Sequence, residues 1–166
     1  MNDVDQVPSA QSVVSVPTTE DMHALGRALA GLLRAGDLVV LVGDLGAGKT
    51  TLAQGLGDGL GVRGPVTSPT FVISRVHPSL VGGPAMVHVD AYRLGSADEV
   101  DDLDLDASLE ESVTVVEWGA GLVEQLAADR LVVELERPST ADEGEGRRVV
   151  LRGLGARWDG VALPAP

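Results

Sequence analysis

Residues 43–50 read Gly-Asp-Leu-Gly-Ala-Gly-Lys-Thr, a complete G-x-x-x-x-G-K-[ST] loop. In such a loop, backbone N–H groups surround phosphate oxygens, the lysine ammonium reaches the β- and γ-phosphates, and the next hydroxyl is a ligand for Mg²⁺. Lys49 is the only lysine of the chain, whose other basic residues are all arginines. A bulky, planar guanidinium is a poor substitute for a compact ammonium here, so we expect phosphate chemistry to require this lysine.

The residues on either side of the loop decide between a phosphate site and a chance match. Before it, residues 37–42 (Asp-Leu-Val-Val-Leu-Val) read as a buried strand, and after it residues 50–56 (Thr-Thr-Leu-Ala-Gln-Gly-Leu) open a helix. A phosphate loop requires this strand–loop–helix context, so we predict a nucleotide site. Its expected contacts are Gly43, Asp44, Gly46, Ala47, Gly48, Lys49 and Thr50.

The order of elements along the chain indicates an α/β fold. Apolar runs that read as strands alternate with helical segments, and residues 78–84, with a Gly-Gly pair between prolines, read as a hairpin connection. We therefore predict a P-loop NTPase-like three-layer sandwich, with a mostly parallel central sheet, antiparallel additions and helices on both faces. A length of 166 residues fits one domain at residues 13–160, with a flexible tail at 1–12 and a C-terminal tail at 161–166.

Several boundaries follow from local signals. The first helix is expected to begin at a cap on Thr18 or Thr19, to run through Leu33 and to close at Gly36. The stretch 147–151, Arg-Arg-Val-Val-Leu, is expected to return as an edge strand. The other predicted strands are 13–17, 71–76, 85–92, 113–118 and 131–135.

Composition excludes several classes of protein. The chain has no cysteine, which removes disulfides, thiolate metal sites and cysteine nucleophiles. Its start is acidic and polar, without the features of a secretion signal, and no apolar run approaches the roughly 20 residues that span a bilayer, so we expect a cytoplasmic protein. A net charge of −13 opposes direct binding to a nucleic-acid backbone. If RNA is involved, a partner is expected to hold it.

Two acids stand at the ends of apolar strands. Asp90 closes the run 86–89, and Glu117 closes the run 113–116. The carboxyl ends of parallel strands are where an open α/β sheet binds its ligand, and nucleotide hydrolysis needs a carboxylate near the metal. We therefore predict that both acids face one crevice, although an aspartate that only caps a turn stays an alternative for Asp90.

Three further residues carry weaker signals. Thr70 lies in a proline-stiffened Ser-Pro-Thr loop where a γ-phosphate sensor would sit, although an ordinary turn also explains it. Trp118 follows Glu117, and two interpretations stay open: it covers the site or stacks on a base, or it belongs to the core. His88 precedes Asp90 by two residues and, without a cluster of other ligands, is expected to be structural.

Four motifs in order resemble the bacterial TsaE family, also called YjeE. They are the phosphate loop with Thr51, then residues 68–71 (Ser-Pro-Thr-Phe), then 88–94 (His-Val-Asp-Ala-Tyr-Arg-Leu), then 116–118 (Val-Glu-Trp). Their identity and spacing agree together over about residues 13–158, whereas the loop alone is shared by many families.

The resemblance implies a small ATPase, with ATP and Mg²⁺ as cofactors, needed to make threonylcarbamoyladenosine next to the anticodon of tRNAs that read codons beginning with A. In that family the TsaD and TsaB subunits are the partners, and tRNA is reached through them. By motif match, residues 46–51 hold the phosphates, Thr50 and Glu117 the magnesium, and Asp90 is the acid required for hydrolysis. Thr70 is then the switch-like threonine, and Thr18 and Thr19 lie near the adenine.

Three rival functions share the loop. A small-molecule kinase needs an acceptor pocket and usually an arginine-bearing lid, yet residues 78–84 contain no basic residue. A GTPase commonly uses an Asn-Lys-x-Asp motif. This chain cannot contain that motif, because its only lysine, Lys49, lies in the phosphate loop. A non-catalytic module whose partner affinity depends on bound nucleotide is the third. No arginine is placed as a catalytic finger by sequence, so we expect weak hydrolysis that partners stimulate.

Overall fold

The computed structural model describes residues 8–43, 48–62, 64, 74–90, 110–117, 129–136 and 146–164. Within them lie two α-helices, α1 at Thr19–Ala30 and α2 at Lys49–Leu60, and a 3₁₀ turn at Ala156–Trp158. The strands are β1 at Ala10–Val16, β2 at Leu38–Gly43, β3 at Ser74–His77, β4 at Ala85–Asp90, β5 at Ser112–Glu117, β6 at Arg130–Glu136 and β7 at Arg147–Leu154.

All seven strands form one mixed sheet in the order β1-β7-β6-β2-β5-β4-β3. The four central strands β6, β2, β5 and β4 are parallel to one another, and β1, β7 and β3 join antiparallel at the two sides. The central strands are buried because both faces of a parallel sheet are covered, and β5 is buried at all six positions. The predicted α/β class, with a mostly parallel sheet and antiparallel additions, is confirmed.

One face of the sheet packs against α1 and α2. Alternate residues of the central strands, among them Val39, Leu41 and Val115, join Leu29 and Leu52 of the helices in one apolar core. The residues between them in sequence, such as Val40 and Val116, point to the opposite face and are equally buried. Apolar burial on both faces is the expected arrangement of a three-layer sandwich.

Glycines let the two helices approach closely. A Cβ at Gly55 of α2 would lie 2.2 Å from the carbonyl oxygen of His23, and one at Gly26 of α1 would lie 2.5 Å from that of Leu52. Gly59 continues the same line one turn later, where a Cβ would meet Ala30 at 2.5 Å. The helix pair therefore packs backbone against backbone, which fixes the position of α2 relative to α1.

The predicted edge strand 147–151 is wrong in its position. Strand β7 pairs with β6 on one side and β1 on the other, so the two edges of the described sheet are β1 and β3. Its charged residues do not face an open edge; Arg148 and Arg152 make ion pairs with Glu136 and Glu134 of β6, both at 2.7 Å.

The predicted tails also differ from the structure. Strand β1 begins at Ala10, so residues 10–12 belong to the sheet because their backbone pairs with β7. At the other end, Val161 and Leu163 pack against the core, and the Ser12 hydroxyl donates to the Pro164 carbonyl at 2.5 Å. The rest of both predicted tails, 1–7 and 165–166, lies outside the described residues.

The first helix is shorter than predicted. It ends at Ala30 with Gly31 as its cap, and Leu32 and Leu33 continue in turns that donate to Leu29 and Ala30. Both leucines still pack against the core, which explains why their apolar spacing resembled another helical turn.

No helix in the described ranges combines the length and the apolar character needed to cross a membrane.

Candidate nucleotide-binding site

The lysine of the phosphate loop is held at the junction of β2 and α2. Its ammonium donates to the Gly43 carbonyl at 2.6 Å, and only 6% of Lys49 is exposed. Gly43 ends the central strand β2 and Lys49 begins α2, so this contact spans the whole loop. A cation buried at the carboxyl end of the central strand lies where α/β folds bind phosphate.

The N-terminus of α2 differs from that of α1. Helix α1 is capped by the Thr18 hydroxyl, which accepts from the Asp21 N–H at 3.1 Å, and its first turn carries Glu20 and Asp21. Helix α2 begins after Gly48, which supplies no side-chain cap, and its first turn carries no acid. Its first N–H groups and the positive end of its dipole are therefore suited to an anion from outside the helix.

Gly48 has a backbone conformation and a neighbour that both favour glycine. Its φ is +107°, a left-handed value that L side chains rarely adopt. A Cβ there would also lie 3.1 Å from Cε of Met22. Met22 belongs to the first turns of α1, so its side chain lies beside Gly48 at the start of α2. Thr18 as the helix cap is confirmed; the contact of either threonine with adenine stays a prediction.

The two predicted carboxylate positions are neighbours in the sheet. Strand β5 lies beside β2, and β4 lies beside β5, all three parallel. Asp90 and Glu117 are register partners, and Glu117 is also the register partner of Leu41 in β2. Both acids thus lie near the carboxyl ends of the parallel strands. They are level with Leu41, which is two residues before the last residue of β2, Gly43.

Glu117 has a partner that sequence reasoning did not assign. The His88 Nε2 lies 2.5 Å from the Glu117 Oε2, and the two side chains are 0% and 5% exposed. His88 lies opposite Val115, one pleat before Glu117 on the same face, so the contact runs diagonally between β4 and β5. The sequence pattern that could have indicated this contact is the His-x-Asp spacing at the end of one predicted strand, followed along the chain by a predicted strand that ends in Glu.

Several predicted site residues lie outside the described part of the chain. The described backbone includes Asp90, but not the position of its side chain. For Asp44, Gly46, Ala47, Thr70 and Trp118 neither backbone nor side chain is described, so their roles stay predictions.

The residues present are compatible with ATP and Mg²⁺. The uncapped start of α2 with Lys49 suits phosphate oxygens, and the half-buried Thr50 and buried Glu117 supply the oxygen donors that Mg²⁺ prefers. Among the described residues no group of three or more His, Asp or Glu side chains could hold a metal alone. Magnesium in nucleotide sites commonly takes one or two protein oxygens, with phosphates and water completing its shell, so no such group is required.

Comparisons with known proteins agree with the fold and the motifs. Residues 16–149 match the family model "Threonylcarbamoyl adenosine biosynthesis protein TsaE". The chain is 65% identical to the tRNA threonylcarbamoyladenosine biosynthesis protein TsaE of Streptomyces coelicolor over 82% of this chain and 93% of that protein. It is 36% identical to the protein of the same name from Bacillus subtilis over 84% of each. The crystal structure of Bacillus subtilis YdiB superposes with a TM-score of 0.69 at 28% identity over 90% of both chains.

Proposed function

The chain belongs to the TsaE family, and on that premise we propose that it is a Mg²⁺-dependent ATPase of tRNA threonylcarbamoyladenosine biosynthesis. It acts with the TsaD and TsaB subunits on the modification of the adenosine next to the anticodon in tRNAs that read codons beginning with A. The proteins it resembles carry that pathway in their names. Those names do not include an ATPase activity or partner subunits, which we propose in addition.

One observation carries the ATPase proposal. The only lysine is buried at the carboxyl end of the central strand, where its ammonium contacts Gly43 and it begins a helix without a side-chain cap. A buried ammonium beside a helix N-terminus brings two positive charges together, an arrangement that suits an anion. The triphosphate of ATP supplies such an anion.

In the proposed mechanism the chain orients phosphates and places carboxylates. Lys49 and the first N–H groups of α2 bind the β- and γ-phosphate oxygens, so that negative charge developing on them is stabilised. Thr50 and Glu117 would hold Mg²⁺, which when bound would neutralise charge on those oxygens. Asp90 accepts a hydrogen bond from the attacking water and orients it, and Thr70 senses the γ-phosphate.

Partners are expected to complete the site and to hold the RNA. A net charge of −13 suits docking on basic subunit surfaces rather than on a phosphate backbone. Hydrolysis by the isolated chain is then weak, because a group that stabilises the transferred phosphoryl, such as an arginine, comes from outside the chain.

The kinase alternative is disfavoured by the hairpin between β3 and β4. Its Leu80 N–H donates to the Gly61 carbonyl at 2.8 Å, so the hairpin packs at the C-terminal end of α2. A 12-residue helix is about 18 Å long, and Lys49 lies at its other end. This hairpin is therefore badly placed to close over phosphates as a lid.

The test is ATP hydrolysis by the purified chain, alone and with matching TsaB and TsaD, for wild type, Lys49→Ala and Asp90→Ala. We expect partners to raise a weak rate and both substitutions to abolish it, with Lys49→Ala also losing ATP binding. Arg148→Ala, on an exposed ion pair of β7, is the control that keeps the wild-type rate. Hydrolysis that requires a small-molecule acceptor would favour a kinase, and full tRNA modification by Asp90→Ala would favour a non-catalytic module.

A further inference from the structure

We propose that His88 is a positioning residue, which holds the carboxylate of Glu117 in the orientation that binds Mg²⁺. This inference rests on the proposed function, because it concerns the same metal. Three observations carry it: the short contact between the two side chains, their burial, and the hydrogen-bonding state of the second imidazole nitrogen.

The first observation is geometric. The Nε2 of His88 lies 2.5 Å from the Oε2 of Glu117, so the two side chains are in hydrogen-bonding contact. Glu117 has three side-chain torsions, and without a partner its carboxylate would occupy several rotamers. A hydrogen bond from an adjacent strand of the same sheet removes that freedom and fixes one of its two oxygens.

The second observation is burial. Both side chains are almost wholly removed from water, so a carboxylate in this place needs a donor to offset its lost solvation. His88 supplies such a donor, whereas the two register neighbours of Glu117 are the apolar Leu41 and the acidic Asp90. The contact therefore places a hydrogen-bond donor on the Glu117 carboxylate at the carboxyl end of the sheet, where Mg²⁺ is proposed to bind.

The third observation assigns the tautomer. In the described part of the chain, His88 Nδ1 is buried and has no hydrogen-bond partner. Nε2 faces a carboxylate oxygen, which accepts hydrogen bonds, so the form that fits this contact carries its proton on Nε2 and leaves the unpartnered Nδ1 bare. That form donates to Glu117, as ligating carboxylates are usually held by a second group.

The test compares two polar replacements that differ in reach. The amide of glutamine extends to about the position of Nε2, whereas that of asparagine reaches only the position of Nδ1. His88→Gln can therefore still donate to Glu117, and His88→Asn cannot. Both introduce an amide, so the comparison separates contact with Glu117 from polarity in general.

The readout is equilibrium binding of the nonhydrolysable ATP analogue AMPPNP, measured by calorimetry in EDTA and across a Mg²⁺ series. For His88→Asn we expect unchanged affinity in EDTA and a rise of about 10–100-fold in the Mg²⁺ concentration for half-saturation. His88→Gln is expected to stay close to wild type in both. Urea unfolding of each variant reports its stability separately.

The outcomes that would overturn the inference are distinct from failure of the proposed function. If wild-type binding responds to Mg²⁺ and both variants respond identically to it, His88 does not position the ligand. Loss of binding in EDTA as well would show a general structural role and would also overturn it. If the wild-type protein itself binds no AMPPNP, or binds it without any effect of Mg²⁺, the proposed function fails first.

A measurement on the wild-type protein does not depend on the variants folding. Nitrogen-15 NMR of the imidazole is expected to show Nε2 protonated and Nδ1 bare, with the Nε2 resonance shifting when Mg²⁺ joins the nucleotide complex. An imidazole protonated only at Nδ1 could not donate to Glu117 and would contradict the assignment.

Discussion

At the scale of single residues, Arg157 combines hydrogen bonds with a contact to an aromatic ring, outside the candidate site. Its guanidinium donates to both carboxylate oxygens of Asp37 at 3.0 Å and to the Leu32 carbonyl at 2.6 Å. It also lies 4.4 Å from the ring centroid of Trp158. These contacts tie the C-terminal 3₁₀ turn to the connection between α1 and β2.

We expect Arg157→Ala to lower the free energy of unfolding by about 3 kcal/mol, because it leaves the carboxylate of Asp37 buried without its cation. The measurement is urea denaturation. Arg148→Ala is the matched control, since its pair with Glu136 is 59% and 38% exposed and is expected to contribute only about 0–1 kcal/mol. Equal effects of the two substitutions would contradict the role given to burial.

Nucleotide binding is expected to survive Arg157→Ala. Asp37 precedes β2 and Gly43 ends it, so the ion pair lies about 20 Å from the loop at the rise of a strand. Calorimetric titration with ATP checks this. A loss of affinity in the folded variant would show that the two ends of β2 are coupled.

At the scale of elements, the contact between α1 and α2 depends on the absence of a side chain. Alanine normally favours a helix over glycine by about 1 kcal/mol. At Gly55, however, the added Cβ would collide with the His23 carbonyl and force the helices apart. We expect Gly55→Ala to destabilise the protein by about 1–3 kcal/mol through overpacking, as measured by thermal or urea unfolding.

Gly31→Ala is the control for that prediction. Gly31 follows α1 with φ −65° and ψ −18°, an ordinary helical conformation, and its nearest neighbour for a Cβ is at 3.4 Å. Alanine there is expected to be neutral or to stabilise by about 0.4–1 kcal/mol. A stabilising Gly55→Ala would mean that helix propensity outweighs the close approach.

Elements differ in how well the sequence predicts them. The strand–loop–helix unit around Lys49 and the hairpin between β3 and β4 were predictable, because local glycines and apolar runs specify them. The position of β7 was not, because Arg148 and Arg152 look like solvent-facing charges until their partners on β6 are known. Strand β1 pairs with residues about 140 positions away, for which local pattern holds no information. Likewise, the strand-end positions of Asp90 and Glu117 were predictable, but the His88–Glu117 contact depends on strand order.

At the scale of the whole molecule, the proposed nucleotide binding is expected to be linked to folding. A ligand that binds only the folded chain stabilises it by about 2.7 kcal/mol when present at 100 times its dissociation constant. We expect ATP with Mg²⁺ to raise the melting temperature of the wild-type protein, and to leave that of Lys49→Ala unchanged. Differential scanning calorimetry at fixed protein concentration measures both. An equal rise in the variant would indicate binding elsewhere.

The net charge gives a second prediction at this scale. With −13 formal charge, the isolated chain is expected not to bind tRNA, even at low ionic strength where phosphate contacts are strongest. Electrophoretic mobility shift with tRNA measures this, and addition of TsaB and TsaD is expected to bring the chain into an RNA-containing complex. Salt-sensitive binding by the chain alone would contradict the indirect role of RNA.

The burial of Lys49 also determines how the protein responds to proteolysis. An endoprotease that cuts only after lysine has one bond to attack, between Lys49 and Thr50, and would yield the fragments 1–49 and 50–166. That bond lies in the first turn of α2, and the lysine is almost inaccessible, so cleavage requires this turn to open. The appearance of two bands on a gel thus reports, without any label, how often the first turn of α2 opens.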